Sequence, residues 1–170
     1  IDRSRGLGDV YKRQAYADTL IRTELSLDPT VDGMIWVKKV ENPKAYGVVK
    51  MNDDNLITDL VEKPEEFVSD LAVIGIYYFK EGATIKAELE KTILQSRTEG
   101  EEFLLNEGIL AMIEKGALFT PGTVKEWMDC GNPKITLQTN NKMLDILTAE
   151  GNKLVAEDVT IENSKICLLY

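Results

Sequence analysis

Histidine is absent from this 170-residue chain. That excludes imidazole acid–base catalysis and His-ligated zinc. Cysteine is nearly absent: Cys130 and Cys167 show neither metal-ligand spacing nor a disulfide framework, which suits a reducing, cytoplasmic compartment. No apolar run approaches the roughly 20 residues of a membrane span, and no signal-peptide pattern is visible. Basic residues are also scarce, 20 against 29 acidic ones, for a formal net charge of −9. Nucleic acid, which requires a basic face, is therefore not an expected partner. A metal, if used, is expected to be a hard cation held by carboxylates, such as Mg²⁺.

What is present can bury a core. With 44% hydrophobic residues, the chain is expected to form one domain or a truncated piece of one. Gly33 to Val40, Tyr46 to Asn52, the stretch NLITDLVEK, and Ala72 to Phe79 are rich in β-branched and aromatic residues. Turn formers such as Asn52-Asp53-Asp54-Asn55 separate them, so they read as strands. From Gly82 the period changes. Ile85, Leu89 and Ile93 recur every fourth residue, predicting an amphipathic helix to about Arg97. A second helix is expected over Phe103 to Lys115, stopped by Gly116. ALFTPGTVKEWMDC reads as two strands about a hairpin-like turn at Pro121-Gly122, and Asn132-Pro133 as the start of a helix reaching Ala149. These elements predict an α/β sandwich, incomplete at both ends. In the tail, Val155 and Ile161 lie six residues apart, the spacing of a hexapeptide repeat opening a left-handed β-helix over 151–166.

Three segments could carry chemistry: Ala17-Asp18-Thr19, Val61-Glu62-Lys63-Pro64, and Trp127-Met128-Asp129-Cys130-Gly131. Taken singly, an acid at a strand end is usually a turn former or helix cap, and Glu-Lys-Pro an ordinary solvated strand exit. Ligands in open α/β sheets nevertheless gather beyond the carboxyl ends of strands. Two carboxylates on one Mg²⁺ with a lysine beside them suit phosphoryl or nucleotidyl transfer.

The order YGVV, VEKP, AVIGIYYF, a GE-initiated helix and WMDCGNP resembles the sugar nucleotidyltransferases, from about Ala15 to Leu147. That family includes the glucose-1-phosphate thymidylyl- and uridylyltransferases. The resemblance implies a Rossmann-like mixed sheet and a reaction joining a sugar 1-phosphate to dTTP or UTP with release of pyrophosphate. It implies Asp18 and Asp129 as magnesium ligands, although Ala17 stands where glycine usually precedes the first. Tyr46 and Gly47 match the aromatic-glycine pair at the sugar, Glu62 the glutamate bonded to sugar hydroxyls, and Lys63 the lysine on the sugar phosphate. Val73 and Gly75 fall where the family lines its sugar pocket. Asn132 stands where threonine is common, and Asn106 where relatives often carry an acid. Many members continue into a left-handed β-helix, in agreement with the Val155–Ile161 spacing. A homo-oligomeric parent is left open.

The N-terminal stretch SRGLGDVYKRQ has the glycines and cations of a phosphate cradle. In the resembled family, however, the triphosphate loop lies about a hundred residues ahead of the first magnesium aspartate. Its Arg-Leu-x-Pro-x-Thr continuation is absent here. Back-translated, residues 4–14 resemble a transposase adapter used for sequencing libraries, and Cys167 to Tyr170 resemble its opposite end. Residues 1–14 and 167–170 are therefore expected to be adapter-derived, with 15–150 the sugar-binding part of a nucleotidyltransferase domain. Such a fragment is expected to be inactive alone. The competing expectations are a non-catalytic regulatory homologue that binds nucleotide sugar, and a bifunctional enzyme whose β-helix carries an acyltransferase.

Overall fold

The computed structural model describes residues 12–94 and 104–152. In chain order it contains β1 (Lys12–Ala15), β2 (Thr19–Arg22), β3 (Gly33–Lys39), a 3-10 turn (Pro43–Ala45), β4 (Gly47–Met51) and β5 (Ile57–Glu62). There follow β6 (Leu71–Phe79), α1 (Gly82–Leu94), α2 (Leu105–Glu114), β7 (Phe119–Thr123), β8 (Glu126–Asp129) and α3 (Pro133–Ala149). The chain divides into two compact units, one running to Met128 and the other starting at Asp129.

The first unit is built on a six-stranded sheet of order β5-β4-β6-β3-β7, with β1 also paired to β6; β2 and β8 form a separate two-stranded sheet. The large sheet is mixed: β3 and β7 run parallel, and the other pairs antiparallel. Alternation along β3 and β6 sends side chains to two buried faces. Ile35, Val37, Tyr77 and Phe79 join Ile85 of α1 and Ile109 and Met112 of α2 on one face. Met34, Trp36, Ile74, Ile76 and Tyr78 pack on the other, where Ile21 and Trp127 of the small sheet cover them. Burial on both faces explains why GMIWVKK and LAVIGIYYF read as nearly unbroken apolar runs.

Strand β6 is long enough to serve two neighbours along one edge. β3 pairs at both ends of β6 and occupies one side of it. On the other side Val48 of β4 pairs with Ala72, whereas β1 pairs with Ile76 to Phe79. The two strands therefore part at Val73 to Gly75.

Local signals act as expected at several ends. Asn132 caps α3 by accepting the Ile135 N–H at 3.1 Å, with Pro133 following. Gly116, at φ 92°, turns the chain out of α2. The Asn52 side chain accepts from the N–H groups of Asp54 and Leu56 and folds the β4–β5 turn. The Pro121-Gly122 hairpin does not form. Both residues lie inside β7, where Pro121 opposes Ile35 and Gly122 opposes Trp36. A proline is tolerated because β7 ends the strand order and, among the described residues, its second edge carries no ladder. A Cβ on Gly122 would lie 2.5 Å from the Trp36 indole nitrogen, so the glycine makes room for a neighbour and not for a turn.

Helices α1 and α2 are tied by Glu88, whose side chain is only 8% exposed. One carboxylate oxygen accepts from Lys91 at 2.8 Å and the other from Lys115. The two ammonium groups hold the Glu88 carboxyl below the usual glutamate range. In the second unit, Thr139 is the buried residue of α3, and its hydroxyl donates to the Asp129 carbonyl at 2.6 Å. The expected β-helix residues Val155 and Ile161 lie outside the described residues, as do residues 1–11 and 167–170. Lys12 to Gln14, expected to be adapter-derived, belong to β1. Strand pairing uses backbone groups alone, so exposed Arg13 and Gln14 can join a ladder whatever their origin.

Candidate active site

The 3-10 turn after β3 delivers Tyr46 to the start of β4, where it meets the Trp127 ring edge-on at 5.3 Å. Gly47 follows and is paired with Glu62 across β4 and β5. Its missing side chain leaves room for that partner. A Cβ at Gly47 would stand 2.8 Å from Glu62 Oε2 and 3.9 Å from Asn106 Nδ2 of α2.

Lys63 ends β5 in an unusual way. Its φ is 42°, in the left-handed region that a lysine rarely adopts, and it is followed by the buried Pro64. The Lys63 N–H donates to the Tyr46 carbonyl at 3.1 Å, which clamps the two strand ends together. Its ammonium lies 3.9 Å from Glu62 Oε1, and both side chains remain exposed. Such a conformation costs about 1–2 kcal/mol and persists only where surrounding contacts enforce it.

The turn bearing Asp18 is fixed to the middle of β6. Tyr16 N–H donates to the Gly75 carbonyl at 2.9 Å, and the Thr19 hydroxyl donates to the Ile74 carbonyl at 2.9 Å. Asp18 itself is exposed between β1 and β2. Gly75 has φ 76°, and the Tyr16 ring fills the space that a Cβ would need, at 2.6 Å. Val73 is half-buried and packs with the core on the α1–α2 face. Tyr46, Gly47, Glu62 and Lys63 thus form one cluster, and Asp18 is joined to Gly75 through Tyr16. Asp129 begins the second unit, where its Oδ1 accepts the Gly131 N–H at 2.8 Å in a tight turn.

Three residues lie near these groups without having been singled out for a role. Asn106 stands beside Gly47 and Glu62. The Tyr77 ring packs against that of Tyr16 at 5.9 Å, and burial, the Tyr16 phenol and the Glu62 charge together raise its pKa far above the ordinary value. A sequence signal for Tyr77 existed: it shares the two-residue period of Val73 and Gly75. For Asn106 the signal was only its place where the resembled family often carries an acid, and for Tyr16 there was none, because its proximity to the site is purely tertiary.

Among the described residues no group of three or more carboxylate or cysteine side chains gathers as a metal cage. Asp18 and Asp129 are nevertheless suitable donors for Mg²⁺. It takes hard oxygen ligands, uses one or two carboxylates, and completes its shell with water and phosphate. A separate concavity of about 340 Å³, lined by Asp32, Lys80, Thr84, Glu88 and Lys115 among others, shares no residue with the cluster.

The nucleotidyl transferase family profile matches residues 7–146. The chain belongs to that family. As a nucleotidyl transferase it is 36% identical over 103 residues to the mannose-1-phosphate guanylyltransferase catalytic subunit beta of Drosophila pseudoobscura pseudoobscura, covering 61% of this chain and 25% of that protein. It is 35% identical over 127 residues to the mannose-1-phosphate guanyltransferase of Neurospora crassa, covering 74% and 32%. It is 34% identical over 130 residues to the bifunctional protein GlmU of Methanocaldococcus jannaschii, covering 76% and 31%. The chain thus spans a quarter to a third of these relatives. The fold is similar to a nucleoside-diphosphate-sugar pyrophosphorylase from Vibrio cholerae, with TM-score 0.63 and 17% identity over 76% of this chain and 57% of that one. It is similar also to a UDP-glucose pyrophosphorylase complexed with UDP-glucose, with TM-score 0.61 and 20% identity over 82% and 58%. The nucleotidyl transferase fold, with its Rossmann-like mixed sheet, agrees with expectation. No helix among the described residues is long and apolar enough to cross a membrane.

Proposed function

We propose that this chain supplies the sugar-phosphate side of a site that joins a sugar 1-phosphate to a nucleoside triphosphate. In that reaction a phosphate oxygen of the sugar 1-phosphate attacks the α-phosphorus. The bond to the β-phosphate oxygen breaks, and pyrophosphate leaves. The observation that carries the reading is the strained Lys63, locked between Glu62 and Pro64 and tied to Tyr46. An ordinary strand exit would relax from φ 42°, whereas a lysine that must present its ammonium to a phosphate has reason to stay there.

Each residue has a role. Lys63 neutralises the sugar phosphate, and Glu62 accepts hydrogen bonds from sugar hydroxyls. Gly47 lets the backbone approach the ring, while Tyr46, Val73 and Gly75 bound it. Asp18 and Asp129 would hold Mg²⁺, which supplies charge neutralisation for the phosphates when bound. The mannose-1-phosphate guanylyltransferase relatives make mannose 1-phosphate and GTP the first pair to test, ahead of glucose 1-phosphate with dTTP or UTP. A cytoplasmic location belongs to the same proposal. The chain carries no glycine-rich loop with the Arg-Leu-x-Pro-x-Thr continuation. It is therefore expected to bind sugar phosphate without releasing pyrophosphate.

Calorimetric titration of the chain with α-D-mannose 1-phosphate and α-D-glucose 1-phosphate tests the reading. Binding that Lys63→Ala abolishes supports it; binding of neither ligand overturns it. Pyrophosphate release by the chain alone would overturn the assignment of the triphosphate loop to a different segment.

A further inference from the structure

We infer that Tyr16 is a specificity-determining residue of the proposed sugar site, its ring braced over Gly75 against Tyr77 so that its hydroxyl meets a hydroxyl of a hexose 1-phosphate. The inference rests on the reading above and deepens it.

Three observations converge on Tyr16. The ring occupies the space left by Gly75, and the Tyr16 N–H is bonded to the Gly75 carbonyl, at the place where β1 and β4 part along β6. The side chain present at this point of β6 is therefore a phenol, placed there by the lack of one at Gly75. Tyr16 is also 45% exposed, so it can be covered by a ligand. Its ring, finally, is braced: the Tyr16 and Tyr77 rings lie 5.9 Å apart at 56°.

Tyr77 is 2% exposed and packs its ring against that of Tyr16, so the Tyr16 ring has a fixed neighbour on its buried side. The Tyr16 hydroxyl can donate to or accept from a ligand oxygen. Glu62, which faces Gly47 and the Asn106 amide, offers only acceptors when ionised. A hexose bound here would meet a phenol hydroxyl on the Gly75 side and a carboxylate acceptor on the Gly47 side. Oriented donors and acceptors reject the wrong epimer more sharply than apolar walls do, because the wrong epimer leaves one of them unpaired.

The test uses the 170-residue chain and Tyr16→Phe, which keeps the ring over Gly75 and deletes only the hydroxyl. Titrations with the 1-phosphates of glucose, mannose and galactose, and with inorganic phosphate, are read by calorimetry. Loss of one neutral hydrogen bond should weaken the preferred hexose 1-phosphate about fivefold and narrow the ratio among epimers, with inorganic phosphate unchanged. Hexose phosphate binding that Lys63→Ala abolishes and Tyr16→Phe leaves unchanged would overturn the inference while the site stands. Absence of any hexose 1-phosphate binding would remove both.

Discussion

Glu62 Oε2 lies 2.8 Å from the point that a Cβ would occupy on Gly47. The two residues are paired across β4 and β5, so the glycine is the reason the carboxylate can lie over the strand. Gly47→Ala should push the carboxylate aside. The displaced atom is the end of a flexible side chain, so stability should change by less than about 1 kcal/mol. Hexose phosphate binding should weaken by about tenfold or more, the equivalent of one hydrogen bond to a charged group. Thermal melting and calorimetry of the same sample check both halves. Unchanged affinity would place the sugar elsewhere.

Lys63 offers a sharper separation of stability from function. Its left-handed backbone is unfavourable for lysine and ordinary for glycine. Lys63→Gly should raise the unfolding free energy by about 0.5–1 kcal/mol, after allowance for the freer unfolded chain. The same variant should lose about 2 kcal/mol or more of sugar-phosphate binding as the phosphate loses its ammonium partner. Urea unfolding and titration measure the two terms. A glycine variant less stable than the parent would show that residue 63 is not strained.

How far these features could be read from residue order depends on the range of the interaction that makes them. The caps at Asn132 and Gly116 and the Asn52 turn are closed by partners within four residues, and all three were legible. The Glu62–Lys63 strand exit was legible through the family order in which it stands. Its backbone strain was not, because the bond to the Tyr46 carbonyl crosses the sheet. Tyr16 and Tyr77 are 61 positions apart and meet only because β1 and β4 share one edge of β6.

Pro121-Gly122 shows how a local signal is overridden. The pair has turn chemistry, but parallel pairing with β3 and the bulk of Trp36 decide its conformation. Gly122→Ala therefore provides a test. In a Pro-Gly turn it would cost only the penalty of a methyl at positive φ, about 1 kcal/mol. In β7 it drives a methyl into the indole and should destabilise the first unit by about 1–3 kcal/mol, measurable by urea unfolding. A neutral result would show that the indole does not crowd position 122.

The Glu88 ion triad predicts a pH dependence. Lys115 and Lys91 hold the folded carboxyl below the ordinary glutamate value of 4.5, so the unfolded chain takes up its proton first. The contribution to stability is present above pH 4.5 and fades as pH falls through the depressed folded value. Glu88→Gln should lower the melting temperature at pH 7. The gap to the parent should close progressively below the ordinary glutamate value. Parallel melting curves across the acid range would show that the carboxyl charge adds nothing to the α1–α2 contact.

The metal assignment makes the last prediction. Asp129 already gives Oδ1 to the Gly131 N–H, which fixes its orientation and leaves Oδ2 for a cation. Asp18 is exposed on a turn whose flanks are bonded to Ile74 and Gly75, so its backbone too is set before any ligand arrives. Preset carboxylates suit Mg²⁺, which takes one or two of them and draws its other ligands from water and phosphate. Mn²⁺, followed by its electron paramagnetic resonance signal, should bind the chain weakly alone and more tightly with sugar phosphate and triphosphate present. Asp18→Asn and Asp129→Asn should each reduce that binding by about tenfold, because each removes a charged oxygen while retaining the shape. Neither substitution should disturb folding, as both acids lie at strand ends outside the apolar clusters. If Mn²⁺ binds both variants as it binds the parent, the two aspartates are a turn residue and a helix approach, and the cation is held by other groups. If only one variant loses binding, that residue is a ligand and the other is not.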